Sequence, residues 1–185
     1  MSAARKLATY EDLLALPDHW IGEIVFGVMH AQPRPAIPHA VAATALGDEL
    51  GPPFKRKRGG PGGWVILYEP ELRLGADIVV PDLAGWRRER MPVTPDTAFI
   101  ALSPDWVCEV LSPSTASFDR GDKLKVYARE RVSHVWIVDP IAKTLEVLGL
   151  DGSTYRILDV FSGDNGVRAV PFDAIELALG VLWER

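Results

Sequence analysis

The chain has 185 residues, 48% hydrophobic and 24% charged, with a formal net charge of -5 and one cysteine. That length and balance suit one domain over residues 1–185 with a buried core. They exclude an intrachain disulfide and a cysteine-based zinc site, and the net charge excludes a molecule that traps nucleic acid by its overall field.

Met1 to Tyr10 has no apolar signal core, and no apolar run approaches the ~20 residues needed to cross a bilayer, so a cytoplasmic protein without membrane contact is expected. Thr9-Tyr10-Glu11-Asp12 reads as a capped helix start, and Leu13, Leu14 and Leu16 continue the helix as far as Pro17. Residues 20–31 are rich in β-formers and predict a hairpin turning near Gly27. From His39 to Leu50 the apolar residues Val41, Ala42, Ala45, Leu46 and Leu50 fall at helical spacing, and Gly51-Pro52-Pro53 ends that helix.

Lys55-Arg56-Lys57-Arg58 and the glycines up to Gly63 predict a mobile loop. Strands are expected over 64–74 and 77–84, with a tight connection at Gly75-Ala76. The segment 106–111 is a dense apolar strand, broken by Ser112-Pro113-Ser114-Thr115; a helix over 119–131 and a strand over 133–139 follow. That order predicts a βαβ crossover with buried parallel strands. Residues 144–149 and 153–161 predict a hairpin around Asp151-Gly152, and Ile175, Leu177, Leu179, Val181 and Leu182 belong to a C-terminal segment covering the core.

Two acids interrupt otherwise apolar strands: Asp82 follows Val79-Val80-Pro81, and Glu109 lies between Cys108 and Val110. A buried carboxylate is costly unless it is paired, hydrogen-bonded or metal-bound. Two in one sheet suggest a shared hard cation such as Mg²⁺ or Mn²⁺, which takes oxygen ligands and keeps water; a pairing with arginine is the plainer alternative. Asp119, Lys123 and Tyr127 are spaced by four and share a helical face. Spacing alone fits a surface ion pair with a half-buried tyrosine as well as a lysine reaching back over Glu109.

Pro81-Asp82, Glu109-Val110-Leu111-Ser112-Pro113-Ser114-Thr115, Asp119 with Lys123 and Tyr127, and Val135-Trp136-Ile137-Val138-Asp139-Pro140 together resemble the Uma-type restriction endonuclease family of the PD-(D/E)XK nuclease superfamily. The likeness runs from Glu11 to the C-terminus. It implies an α/β (α+β) fold with a restriction-endonuclease-like central mixed β-sheet flanked by helices. It also implies Asp82 and Glu109 as metal ligands, Glu23 as an assisting acid, and Mg²⁺ or Mn²⁺ as cofactor. The superfamily's lysine two residues after the second acid is Leu111 here, and the resemblance implies Lys123 in its place, with Tyr127 orienting the site. The activity implied is metal-dependent endonucleolytic hydrolysis of DNA. A catalytically silent nuclease fold that binds nucleic acid or assembles as a dimer is the alternative.

His39, at a helix start, is a weaker candidate for meeting a phosphate. His30 and His134 read as ordinary strand residues, His19 as exposed, and Cys108, Trp86, Trp106 and Trp136 as core. Lys55–Arg58 with Arg87, Arg88 and Arg90 suits either a phosphate clamp or solvated surface charge. The apolar hairpin at 144–161 suggests a homodimer contact.

Overall fold

A computed structural model describes residues 7–33 and 36–184. The expectation for Met1 to Tyr10 falls largely outside them. Helix α1 (Tyr10–Leu14) starts at a capping box in which Asp12 returns a bond to the Thr9 backbone at 2.8 Å. Strands β1 (Trp20–Val25) and β2 (Val28–Pro33) form the expected hairpin, with Phe26 and Gly27 at the turn, both at positive φ. Helix α2 (Ile37–Leu50) buries Ala42, Leu46 and Leu50 on one side and His39 near its start.

The segment after α2 is tied down rather than loose. A π-helical turn (Gly51–Lys55) buries Pro53 and Phe54, and backbone bonds from Arg58 to Pro52 and from Gly62 to Pro53 close the glycine-rich stretch. The mobile loop predicted there is therefore a packed turn whose basic side chains point to solvent.

The two long strands predicted over 64–84 are four short ones: β3 (Trp64–Tyr68), β4 (Leu72–Leu74), β5 (Asp77–Val79) and β6 (Leu83–Arg87). The breaks fall at Pro70 and Pro81, which have no N–H to give a ladder. At each break the chain changes sheet. One sheet has the order β2-β1-β5-β4. The other, with β7 (Trp106–Val110), β8 (His134–Asp139), β9 (Thr144–Asp151) and β10 (Thr154–Ser162), has the order β10-β9-β8-β7-β6-β3.

The larger sheet is mixed. β7 and β8 pair in parallel and the other neighbours are antiparallel. The crossover between β7 and β8 is one helical run: α3 (Ala116–Phe118), a π-helical turn (Asp119–Lys123) and α4 (Leu124–Arg129). It begins three residues earlier than predicted because Ser112 and Thr115 accept its first N–H groups. One core, with Trp106, Cys108 and Trp136, lies under α2 and the C-terminal segment, where Leu177, Leu179 and Leu182 are buried as expected. The other, with Val107, Ile137, Val126 and Trp86, lies between the sheets and α4. Among the described residues no helix is long and apolar enough to cross a membrane.

Candidate active site

Register sets the first pair. Leu83 faces Cys108 across β6 and β7, so one further step back along β6 brings Asp82 opposite Glu109. Alternation turns Cys108 into the α2-side core and Glu109, with Val107, toward the other face. Pro81 stops β5 from running on, and Asp82 bends back onto β7, where its Oδ2 accepts the Val110 N–H at 2.7 Å. Its Oδ1 is 3.0 Å from His39 Nε2, which α2 delivers from the other layer.

Glu109 is 2% exposed and its two oxygens take different donors. Lys123 Nζ donates to Oε2 at 2.9 Å and Tyr127 Oη to Oε1 at 2.5 Å. Lys123 therefore reaches Glu109 from the next helix and is no surface ion pair. It is also 3.1 Å from Glu23 and 3.4 Å from Asp119, so its three N–H donors meet three acids. Glu23 additionally accepts the Val80 N–H at 2.7 Å, which ties β1 to the end of β5. The π-helical turn widens the helix where Asp119 and Lys123 sit, a feature frequent at functional sites.

The electrostatics are unbalanced. Three carboxylates, Glu23, Glu109 and Asp119, share the one Lys123 ammonium, and Asp82 has only His39 beside it. Burial pushes the Glu109 carboxyl well above the usual range; Lys123 pulls it down, and Asp119, Asp82 and Glu23 push it further up. Burial likewise raises Glu23 against the pull of Lys123 and the Val80 N–H. For Lys123, burial opposes the charged form, but Glu109, Glu23, Tyr127 and Asp119 outweigh it and hold the ammonium well above the ordinary lysine value. Burial and then Glu109 push the Tyr127 phenol up as well. The neighbouring acids thus favour the charged form of Lys123, and burial favours the neutral phenol of Tyr127 as a donor to Glu109.

Glu23, His39, Asp82, Glu109, Asp119 and Lys123 line a cavity of about 730 Å³, with Tyr127 buried behind Glu109. Among the described residues no three His, Cys, Asp or Glu side chains converge as a ready-made cage for an ion. The donor set still fits a hard cation. Magnesium needs only one or two carboxylates and keeps its remaining positions for water and substrate oxygens. Two donors on each of Asp82 and Glu109 leave part of the roughly four lone-pair sites of a carboxylate open. The excess of acid over ammonium is the charge such an ion would neutralise.

One participant is missing from the sequence reading. His30 is not an ordinary strand residue: it faces Glu23 directly across the hairpin, lines the cavity, and stacks on Phe118 with ring centroids 3.9 Å apart. The Phe26-Gly27 turn carries that information, because a two-residue loop fixes Glu23 opposite His30. Trp86, Trp106 and Trp136 are core, as expected. The basic group lies elsewhere: Lys55–Arg58, Arg87 and Arg88 are exposed at the far end of β3 and β6, where the Arg88 N–H meets Gly63. At ~3.4 Å per residue that end is ~20 Å from Asp82. Arg90 is engaged by Asp105 at 2.7 Å.

The Uma2 family model, described as "Putative restriction endonuclease", matches residues 7–180. Among solved structures, "a putative nuclease belonging to DUF820" from Anabaena variabilis ATCC 29413 is similar, with a TM-score of 0.76 and 21% identity over 95% of this chain and 97% of that one. That likeness shows the shared fold, of the restriction-endonuclease type. No curated protein matches.

Proposed function

Starting from a chain that belongs to the Uma2 family of restriction-endonuclease-like proteins, we propose that it hydrolyses DNA phosphodiester bonds with a divalent metal ion. The observation that carries this reading is the reach of Lys123 to within 2.9 Å of Glu109, with Asp82 in the neighbouring register position. Asp82 and Glu109 would hold Mg²⁺ or Mn²⁺. A divalent cation there supplies charge to a phosphoryl oxygen and acidifies water.

The chain's own groups do the rest. Tyr127 and Lys123 fix the Glu109 carboxylate, and the Val110 N–H and His39 fix that of Asp82, so neither acid has to reorganise. Lys123 offsets charge on the phosphate in the transition state. Lys123 sits among Glu23, Glu109 and Asp119, which favour its charged form. Glu23 and Asp119 keep the ammonium in place. The basic residues at the far end of β6 would take the backbone beyond the site, and a homodimer through the outer strand β10, where Ile157 is 62% and Val160 53% exposed, belongs to the same reading.

Cleavage of labelled DNA in manganese tests it. Lys123→Met and Glu109→Gln should each lose turnover while circular dichroism shows an intact fold; activity retained in both sinks the proposal. One observation favours a silent nuclease fold instead: all four oxygens of Asp82 and Glu109 already have protein donors. Titration calorimetry with manganese decides, since a catalytic site binds the ion and loses it in Asp82→Ala.

A further inference from the structure

The cationic groups at the acids are already engaged. Lys123 meets three carboxylates, and His39 Nε2 meets Asp82 at 3.0 Å. The exposed basic residues lie at the far end of β3 and β6. A phosphodiester entering the cavity meets an acid-rich floor, so its oxygens need donors from the walls. Strand β2, the edge of the smaller sheet, carries two that are uncommitted. Alternation puts His30 and Gln32 on the same face as Glu23, and both line the cavity.

His30 is the better held of the two. Its ring lies on Phe118 with centroids 3.9 Å apart and planes within 18° of parallel. The stack covers one face of the imidazole and fixes its plane, while the edge that carries the nitrogens stays free. Among the described residues neither nitrogen has a hydrogen-bond partner, and the buried side-chain polar atom left without one is Trp106 Nε1. The His30 edge is therefore open to solvent. Its surroundings are fixed from the floor: Glu23, its register partner, is tied to the Val80 N–H, Phe118 immediately precedes Asp119, and both acids hold Lys123. Any flat ring would serve the stack. An imidazole adds an N–H, which it carries whether charged or neutral.

We infer that His30, with Gln32 two residues on, is the phosphate contact of this site, each donating an N–H to a non-bridging oxygen of the substrate strand. The inference rests on the nuclease reading given above and adds the residues that position its substrate. Side chains two apart on one face of a strand are ~7 Å from each other, a separation that lets the pair follow the backbone of a nucleic acid. Donors of this kind fix the register of the backbone and read no sequence. A bond from an N–H to a charged phosphate oxygen is also the stronger sort, so one well-held imidazole contributes measurably.

The test separates the donor from the packing. His30→Phe keeps a flat ring on Phe118 and removes the N–H. It should melt at the parent's temperature and bind a labelled 12-mer DNA in calcium about 10- to 100-fold more weakly, the range for a lost bond to a charged group. Gln32→Ala should lose less, about 2- to 10-fold. A second measurement needs no variant. In calcium, the ¹⁵N resonances of the His30 imidazole should shift on adding a thymidine dinucleotide, which has one phosphodiester, and stay in place on adding thymidine, which has none. A His30→Phe variant that binds DNA as well as the parent, or a His30 shift as large with thymidine as with the dinucleotide, overturns the phosphate contact; cleavage of DNA by the parent in manganese then leaves the nuclease reading standing. A phosphate-dependent shift at His30 without cleavage by the parent supports the contact and overturns the nuclease reading. Neither cleavage nor a phosphate-dependent shift overturns both.

Discussion

Two buried acids in this molecule have the same kinds of partner in different settings. Asp77, 2% exposed on β5, accepts the Phe26 N–H at 2.6 Å and the Arg129 guanidinium at 2.7 Å. Glu23, 3% exposed on β1, accepts the Val80 N–H at 2.7 Å and the Lys123 ammonium at 3.1 Å. Each thus has one backbone donor and one cation. Arg129, however, also donates to the Leu74 carbonyl and has 44% of its side chain in solvent. Its bond to Asp77 locks the hairpin turn, where Phe26 is held at φ +51. Lys123 is 2% exposed and shared among three acids, and Glu23 opens onto the cavity. A carboxylate buried in an apolar strand is therefore common to both networks. Acid in excess of its cation, beside a cavity, is what sets the Glu23 network apart.

The largest effect that tests this contrast is on turnover. Lys123→Ala should lower kcat by on the order of 10²–10³-fold, as expected for removing a positive group that acts in the transition state. Arg129→Ala should leave the rate per folded molecule unchanged and cost about 1 kcal/mol of stability, because the guanidinium is nearly half exposed. Steady-state cleavage in manganese, with urea unfolding of both variants, reads the two effects separately. A rate loss of comparable size in Arg129→Ala would erase the distinction between the networks.

Next in size is Asp77→Asn. The amide oxygen can keep the Phe26 N–H, but its NH₂ then meets the Arg129 fork, and a donor is left without an acceptor. The expected cost is about 1–3 kcal/mol in urea unfolding, with cleavage per folded molecule unchanged. A variant as stable as the parent would show that the hairpin turn needs no clamp.

The same contrast shows what can be read from the chain. The hairpin, α2, the parallel β7–β8 crossover and the C-terminal cover follow from periodicity and turn chemistry. Asp82 and Glu109 are visible because each breaks an apolar run, yet that criterion fits Asp77 equally well, and only three-dimensional charge counting separates them. Lys123 and Tyr127 are visible as a spacing whose target, Glu109, needs either the family likeness or the fold. The splitting of 64–84 between two sheets is not legible, although Pro70 and Pro81 announce it; β-rich sequence on both sides of each proline reads as one strand when its partners are unknown. His30 escapes because a histidine in a strand has no local signature, and its importance comes from the residue opposite.

The smallest effect, and the one that separates the two acids most directly, is Glu23→Gln. Burial raises the Glu23 pKa above that of the unfolded chain, which is about 4.3. Below that value both states are protonated, and the stability conferred by the raised pKa is fully present. As pH climbs through the higher folded value the contribution is lost, because the native site must then hold one more buried negative charge beside the Lys123 ammonium. Glutamine never ionises, can keep the Val80 N–H through its oxygen, and leaves Lys123 with Glu109 and Asp119. Its stability relative to the parent should therefore rise as pH increases from about 4.3 toward and through the folded pKa, by about 1.4 kcal/mol for each tenfold by which folding tightens the carboxyl's hold on its proton, while cleavage falls. Thermal unfolding at pH 4, 6 and 8 gives that trend directly. If Glu23→Gln is as destabilised at pH 8 as Asp77→Asn, the cluster around Lys123 is a satisfied structural network like the one around Arg129, and the inference from charge imbalance to function fails with it.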